Sequence, residues 1–229
     1  ATDKVPFNDV KVRRALNHAL NSEEIIDFVF RGMGEVAYGY LPPALKDEYL
    51  EESKDLAYEY NPEKAKQLLA EAGYPDGLEL TLSADNSSKS SKLAEIIQNQ
   101  LKEVNIDAKI QLYDSASYAD MLKEGEQELF IREYSWSNAD IIDWFLLSSR
   151  FPYPNHSRWV DEKTDDLITY AAQRPTWDER AEAYKDVQRY LIDQAVWAPI
   201  YIPMQMIAVR HEVKNFKYHP WMLQYNDGF

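Results

Sequence analysis

The sequence predicts an α/β fold, because short runs of alternating apolar residues are interleaved with segments of helical periodicity. From Leu78 to Arg132 the predicted elements follow in the order β-α-β-α-β, which is typical of a sheet whose strands are connected through helices. The chain has 229 residues, of which 45% are hydrophobic. It can therefore bury a substantial core, in one large domain or two smaller ones.

Two helices are predicted at the amino-terminal end. Asp9 is a candidate cap for a helix that continues to about Leu20, and Asn21 for a second helix that ends near Gly32. The periodicity is then lost over residues 34–61. We expect an irregular segment of this length to be either a loop that wraps around the fold or a functional loop.

The central part of the chain carries the clearest start and stop signals. Asn61-Pro62-Glu63 is a strong helix start, since Asn caps, Pro fits the first turn and Glu complements the helix dipole. Gly73 ends this helix. The elements predicted after it are a strand from Leu78 to Leu82, a helix from about Ser91 to Asn105, a strand from Ala108 to Leu112, a short helix capped by Ser115 and ended by Gly125, and a strand from Leu129 to Ile131.

Helical patterns return in the carboxyl-terminal part. Asp161 begins one helix, and Thr176 with Glu179 forms a capping box for a longer one. Two short strands are predicted after these helices, from Ile200 to Ile202 and from Met206 to Val209.

The composition argues against several classes of function. Lys and Arg number 25 and Asp and Glu 39, which gives a net charge of −14 and makes nucleic acid an unexpected partner. No Cys is present, so disulfides and thiolate metal sites are excluded. Gly-rich nucleotide loops have no support, and the histidines are dispersed along the chain. We therefore expect neither a metal nor a cofactor.

Aromatic and carboxylate side chains are concentrated between Leu129 and Phe145. This stretch begins as a predicted buried strand and restarts as a helix near Ala139, and ligands of open α/β sheets bind outside the carboxyl ends of the strands. An ordinary strand-to-helix loop, with a half-buried Trp and an Asp that complements the helix dipole, explains the same pattern. The residues that could contact a polar ligand with a cationic group are Tyr134, Trp136, Asn138 and Asp140.

Asp140 and Asp143 allow an enzymatic interpretation as an alternative. They lie three residues apart on the predicted helix, so both carboxylates can face one side, as general acid–base catalysis requires. No GxSxG elbow, Ser-His-Asp arrangement or HExxH motif accompanies them. We expect the protein not to be an enzyme, and a carboxylate-dependent hydrolase is the alternative from a different class.

Six ordered stretches of the sequence carry a family resemblance. They are FNDVKVRRALNHALNSEEII, YNPEKAKQLLAEAGYPDGLELTL, LKEVNIDAKIQLYD, SWSNADIID, TDDLITYAAQ and DERAEAYKDVQRYLIDQAVWAPIYIP. In this order and at these separations they resemble the extracellular solute-binding proteins of ABC importers. That family includes oligopeptide-, dipeptide- and nickel-binding members.

The resemblance implies a periplasmic-binding-protein-like lobe with a central mixed sheet flanked by helices. Residues 1–205 resemble the second, carboxyl-terminal lobe, and residues 206–229 a return segment and tail that belong to an absent first lobe. The implied function is the substrate-binding component of an ABC importer, which binds oligopeptides between two lobes and delivers them to permease subunits in the membrane. A nickel complex, a sugar or another small solute is the alternative ligand. The resemblance further implies a monomer in the periplasm or at the cell surface, lipid-anchored through a missing amino-terminal segment.

The resemblance also implies roles for individual residues. Family members carry a Trp and an Asp after the central strand, matched here by Trp136 and Asp140, and in peptide binders this Asp holds the α-ammonium group of the ligand. The spacing departs from the family pattern by about one residue, and Trp144 stands where the family has Pro. Arg132 lies near a position where some peptide binders use Arg. Tyr201 matches an aromatic residue in the strand that returns towards the cleft.

Overall fold

The computed structural model describes residues 1–204, 207–214 and 216. In chain order the helices are α1 (Val10–His18), α2 (Ser22–Phe30), α3 (Ser53–Leu56), α4 (Pro62–Glu71), α5 (Ser88–Glu103), α6 (Ser115–Glu124), α7 (Asp140–Leu146), α8 (Glu162–Ala172) and α9 (Trp177–Asp193). The strands are β1 (Gly34–Val36), β2 (Leu78–Asp85), β3 (Ile106–Tyr113), β4 (Leu129–Phe130) and β5 (Tyr201–Pro203). Short 3-10 helices span Pro43–Glu48 and Ser148–Arg150.

A parallel sheet of three strands, in the order β3-β2-β4, forms the centre of the fold. Leu78 of β2 lies opposite Ile106 of β3, and Leu82 of β2 lies opposite Leu129 of β4. Helices α5 and α6 connect these strands, so the predicted β-α-β-α-β order is confirmed. A separate antiparallel pair joins β1 to β5. The α/β class is confirmed, with parallel and antiparallel pairing in two different sheets.

Two large apolar clusters hold these elements together. The first lies between the amino-terminal helices and the central sheet, and the second is formed mainly by α7, α8 and α9. Ile131 packs against the first cluster and Tyr134 against the second. The stretch that follows β4 therefore passes from one core to the other, which fixes both of its ends.

Most predicted helix caps are confirmed by side-chain hydrogen bonds. The side chains of Asp9, Asn21 and Asn61 accept from the backbone of the first turn of α1, α2 and α4. Thr176 and Glu179 form the predicted capping box at the start of α9. These caps depend on residues three or fewer positions apart, which is why local sequence reveals them.

The prediction that Ser115 caps α6 was wrong by one residue. The carboxylate of Asp114 accepts from the backbone amides of Ala116 at 3.0 Å and Ser117 at 3.1 Å. An anion at this position also complements the positive end of the helix dipole, so Asp114 competes successfully with the hydroxyl that follows it.

Residues 34–61 are more regular than predicted, because they contain β1, the 3-10 helix Pro43–Glu48 and α3. The three residues of β1 are stabilised by pairing with β5, in which Gly34 lies opposite Pro203. Local periodicity cannot reveal a strand whose partner is so distant in sequence. Tyr40 and Leu50 are buried in the second core, so this segment wraps around the fold.

The strand predictions also differ at two ends. β2 continues past Leu82 to Asp85, because the polar Ser83 is buried and its carbonyl accepts from Ile131 at 3.0 Å. The strand predicted from Met206 to Val209 is absent from residues 207–209, and Met206 lies outside the described residues. Within the described ranges, no helix is long and apolar enough to cross a membrane.

Candidate functional site

The candidate site lies where β4 ends. After Phe130 the backbone continues beside β2, and the carbonyl of Ile131 accepts a 2.5 Å hydrogen bond from the hydroxyl of Tyr118. Residues 132–139 have no regular structure, and α7 begins at Asp140. The predicted strand, loop and helix are therefore confirmed. The aromatic and charged side chains of this stretch lie outside the carboxyl end of a parallel strand, the place where α/β sheets bind ligands.

Tyr134 anchors this loop to the second core. Its ring lies 4.2 Å from that of Phe145 and 5.5 Å from that of Trp197, measured between centroids. Its hydroxyl is 3.2 Å from Nδ1 of His156. Burial raises the pKa of Tyr134, whereas burial and then Arg132 lower the pKa of His156 to about 4. Both partners are therefore neutral at pH 7.

Trp136 is presented at the surface, where its side chain is 40% exposed. Its ring centroid lies 6.0 Å from that of Phe145 in an edge-to-face contact and 6.2 Å from that of Trp144. Trp144 is also 40% exposed, and the guanidinium carbon of Arg150 lies 4.4 Å from its ring centroid. Two neighbouring exposed indoles and the guanidinium of the half-buried Arg150 therefore form a continuous surface.

Asp140 lies next to Asn138 at the start of α7. The Nδ2 group of Asn138 donates to Oδ2 of Asp140 at 3.2 Å, and the amide of Asp140 donates back to Oδ1 of Asn138 at 3.1 Å. The other carboxylate oxygen forms an ion pair with Arg180 of α9. The carboxylate that was predicted to meet a ligand cation thus already has a cationic partner.

Asp143 faces the same part of α9 as Asp140. Its Oδ1 accepts a 2.6 Å hydrogen bond from the hydroxyl of Tyr184, which also accepts from Arg180 at 3.2 Å. Burial raises the pKa of Asp143 to about 6. The two carboxylates meet, but both are bound to side chains of α9. Cavities of about 670 Å³ and 390 Å³ in the described part of the chain are lined by other residues, so this geometry offers no support for a hydrolase.

Glu48 is hydrogen-bonded to the start of α7. It is only 1% exposed, and its Oε2 accepts a 3.0 Å hydrogen bond from the amide of Ala139. Gln188 donates to the backbone carbonyl of Glu48 at 2.8 Å, and burial raises the pKa of the Glu48 carboxyl. The contact joins residues that are far apart in sequence, so no sequence pattern signalled it.

Arg132 and Tyr201 are the two remaining predicted site residues. Arg132 is exposed, while the hydroxyl of Tyr201 donates to Glu133, which also forms an ion pair with Lys89. The ring of Tyr201 lies 4.3 Å from that of Phe30. Tyr201 therefore contacts Glu133, the residue next to Arg132, and no sequence pattern indicated this glutamate.

Trp144 and Arg150 were also missed. On α7 the apolar residues Ile141, Ile142 and Phe145 are buried, so helical periodicity leaves Trp144 on the opposite, exposed face. That signal was present in the sequence. The position of Arg150 over the indole depends on the turn after α7 and had no local signature.

The fold defines a class of protein, an α/β lobe of the periplasmic-binding-protein type. A parallel sheet presents exposed aromatic and charged groups at a strand end, and across the described residues no group of three or more His, Asp or Glu side chains could hold a metal. The chain belongs to the bacterial extracellular solute-binding proteins, family 5, because the model of the family's middle region matches residues 1–152. This is a family of solute-binding proteins that function outside the cytoplasm.

Curated relatives are similar to this chain over part of their length. Heme-binding protein A of Haemophilus influenzae is 34% identical, over 96% of this chain and 41% of the relative. The dipeptide-binding protein of Escherichia coli is 33% identical, over 95% of this chain and 42% of the relative. The chain thus spans about two fifths of the length of these relatives.

Solved structures confirm the lobe fold. A periplasmic binding protein associated with an ABC transporter of Helicobacter pylori, in complex with the peptide STSA, has a TM-score of 0.81 and 30% identity, over 88% of this chain and 40% of that one. The oligopeptide-binding protein AppA of Bacillus subtilis, in complex with a nonapeptide, has a TM-score of 0.85 and 25% identity, over 98% and 48%.

Proposed function

We propose that this chain is one lobe of the substrate-binding component of an ABC importer, and that the whole protein binds oligopeptides between two lobes. The observation that carries the proposal is the exposed edge at the end of β4, where Trp136 packs on Phe145 of the second core and Asp140 pairs with Arg180 of α9. Relatives described as dipeptide-binding and structures with bound peptides favour a peptide as the solute.

The division of the chain forms part of this proposal. Residues 1–205 belong to the second lobe, and residues 206–229 return to the first. The span of about two fifths of the relatives' length supports the assignment, since one lobe of a two-lobed protein has this proportion. Most residues after 205 lie outside the described ranges.

Binding would proceed by closure of the two lobes and needs no covalent chemistry. Affinity comes from burying the solute between the lobes, with aromatic groups such as Trp136 lining the side-chain space. In this proposal Asp140, Asn138 and Arg132 are the polar groups that contact the solute, and Tyr134 and Tyr201 contact it beside them. Hydrogen-bonding contacts with His156 and Glu133 hold the two tyrosines. The closed protein then delivers the solute to membrane permease subunits. The protein would act as a monomer, held at the outer face of the membrane by a lipid anchor.

A different solute in the same fold is the second candidate. It is favoured by the breadth of relatives, which include a heme-binding protein and glutathione-binding proteins of enteric bacteria. A nickel complex or a sugar belongs to the same alternative.

Thermal-shift screening of the two-lobed protein separates these candidates. Dipeptides to pentapeptides, glutathione, heme, sugars and Ni²⁺ are compared at equal concentrations, because a ligand that binds only the folded state raises the midpoint of unfolding. The proposal expects the largest increase with peptides. An increase with only one of the other solutes would replace peptide by that solute.

A further inference from the structure

We propose that the surface formed by the exposed Trp136 and Trp144 and the half-buried Arg150, called here the Trp-Arg face, binds an aromatic group that carries a carboxylate. The inference rests on the proposed function and deepens it, because it names the chemical class of the solute group that meets this part of the lobe. A peptide with an aromatic residue at its carboxyl end has this chemistry.

The geometry of the Trp-Arg face supplies the aromatic part of the argument. The two indoles are tilted by 31° with centroids 6.2 Å apart, and each is 40% exposed. An aromatic ring placed against them gains both apolar burial and offset or edge-to-face contact, to which the two π systems contribute together. The ring of Phe145 packs against Trp136 with a centroid distance of 6.0 Å. This contact fixes the indole of Trp136 in the absence of a ligand.

The charges around this surface supply the anionic part. Between residues 132 and 150 each carboxylate has a partner: Glu133 pairs with Lys89, Asp140 with Arg180, and Asp143 accepts from Tyr184. A ligand ammonium would therefore have to compete with groups of the protein itself.

Unlike these carboxylates, the two cations of the same stretch, Arg132 and Arg150, have no charged or hydrogen-bonded partner among the described residues. The guanidinium carbon of Arg150 lies over Trp144, 4.4 Å from the ring centroid. A guanidinium in this position keeps its N–H donors available for a carboxylate, which it can bind through two parallel hydrogen bonds. Arg150, which lies on the ring of Trp144, therefore favours an anionic solute group at the Trp-Arg face.

The test uses three small probes that share a phenylpropyl skeleton and carry an anionic, a neutral or a cationic end group: phenylpropionate, phenylpropionamide and phenylpropylamine. Each is titrated into the 229-residue chain, and the indole N–H signals of Trp136 and Trp144 are followed by NMR after assignment with Trp→Phe variants. We expect these two indoles to shift, and phenylpropionate to bind about fivefold more tightly than the amide, the amount that one exposed ion pair contributes. The amine should bind most weakly.

Variants then locate the charge that is responsible. Arg150→Gln should reduce phenylpropionate binding to the level of the amide and leave amide binding unchanged. Arg174→Gln is the matched control, because Arg174 also stacks on an exposed ring, that of Tyr170, at 3.8 Å. This control should retain the full preference for the anion.

Several results would overturn the inference: equal affinity for the three probes, tightest binding of the amine, shifts confined to other indoles, or equal losses in the two Arg variants. The comparison of probes on the unaltered chain decides the matter even if a variant fails to fold. The probes need only one lobe, so this result is independent of whether oligopeptides bind the two-lobed protein. Failure of peptides there would remove the proposed function without changing the measured preference.

Discussion

The hydroxyl of Tyr184 donates a 2.6 Å hydrogen bond to the carboxylate of Asp143 and so ties α9 to α7, the helix that begins at the candidate site. Tyr184 is fully buried, and Arg180, one turn earlier on α9, pairs with Asp140. Two adjacent turns of α9 therefore hold two carboxylates of α7. The position of the candidate site depends on this packing between helices as much as on β4.

Tyr184→Phe should destabilise the fold, because it removes a donor and leaves a partly buried carboxylate with one hydrogen bond fewer. A loss of about 1–3 kcal/mol in the free energy of unfolding is expected, measured by urea titration. Tyr170→Phe is the control, since Tyr170 is 54% exposed, and should change the free energy by less than about 0.5 kcal/mol. Equal effects in both variants would contradict the assigned role of Tyr184.

Asp143 should make stability fall as the pH rises. Burial raises its pKa from 3.8 to about 6 in the folded state, so between these values the folded chain binds more protons than the unfolded chain. Linkage then requires the contribution of Asp143 to be complete below pH 4 and to be lost as the pH rises through 6. The titratable and charged groups that act on Asp143 are Tyr184, Asp140 and Arg180, and the Asp143→Asn substitution leaves them unchanged.

The measurement is the difference in unfolding free energy between the wild type and Asp143→Asn at pH 4 and at pH 7. Relative to Asp143→Asn, the wild type should lose about 1–2 kcal/mol of unfolding free energy between pH 4 and pH 7. This value is reduced for the partial exposure of the carboxylate. A difference independent of pH would show that Asp143 titrates at its ordinary value.

His156 should have the opposite pH dependence. Burial, followed by Arg132, lowers its pKa from 6.5 to about 4, so the unfolded chain binds more protons between these values. The stabilisation is complete above pH 6.5 and is lost as the pH falls towards 4. When the pH falls from 6.5 to 4, His156→Gln should lose about 2 kcal/mol less unfolding free energy than the wild type. The same loss of stability at acid pH in the variant and in the wild type would refute the prediction.

Glu48 should stabilise the start of α7 through an acceptor rather than through its charge. Glu48→Ala leaves the buried amide of Ala139 without its partner and should cost about 1–3 kcal/mol, whereas Glu48→Gln keeps an acceptor oxygen and should cost much less. Hydrogen exchange of the Ala139 amide reports the contact directly. Faster exchange in Glu48→Ala, with a normal rate in Glu51→Ala at an exposed position, is the expected result. Protection of Ala139 in all three variants would exclude the role assigned to Glu48.

The sequence predicted those parts of the fold that depend on neighbouring residues. The caps at Asp9, Asn21 and Asn61 and the capping box at Thr176 are contacts within one helical turn, so they leave a pattern. β1 was not predicted because it is stabilised by pairing with β5. The two strands are separated by most of the chain. Short strands of this kind are decided by tertiary pairing and not by propensity.

The candidate site was predicted in position but not in its contacts. The order of strand, loop and helix located Trp136 and Asp140 correctly at the carboxyl end of β4. The ion pair of Asp140 with Arg180 joins α7 to α9, and the bond from Ala139 to Glu48 reaches back into residues 34–61. Such long-range contacts are set by packing of the second core, which one sequence without structure does not reveal.

The central claim is that these residues form one lobe of a binding site that two lobes complete. Calorimetric titration with a dipeptide library tests it most directly, using the 229-residue chain and the two-lobed protein side by side. We expect micromolar binding to the two-lobed protein, abolished or strongly weakened by Trp136→Ala, and binding to the single chain weaker by about a hundredfold or more, because half of the buried contact is missing. Micromolar peptide binding to residues 1–229 alone would contradict the account.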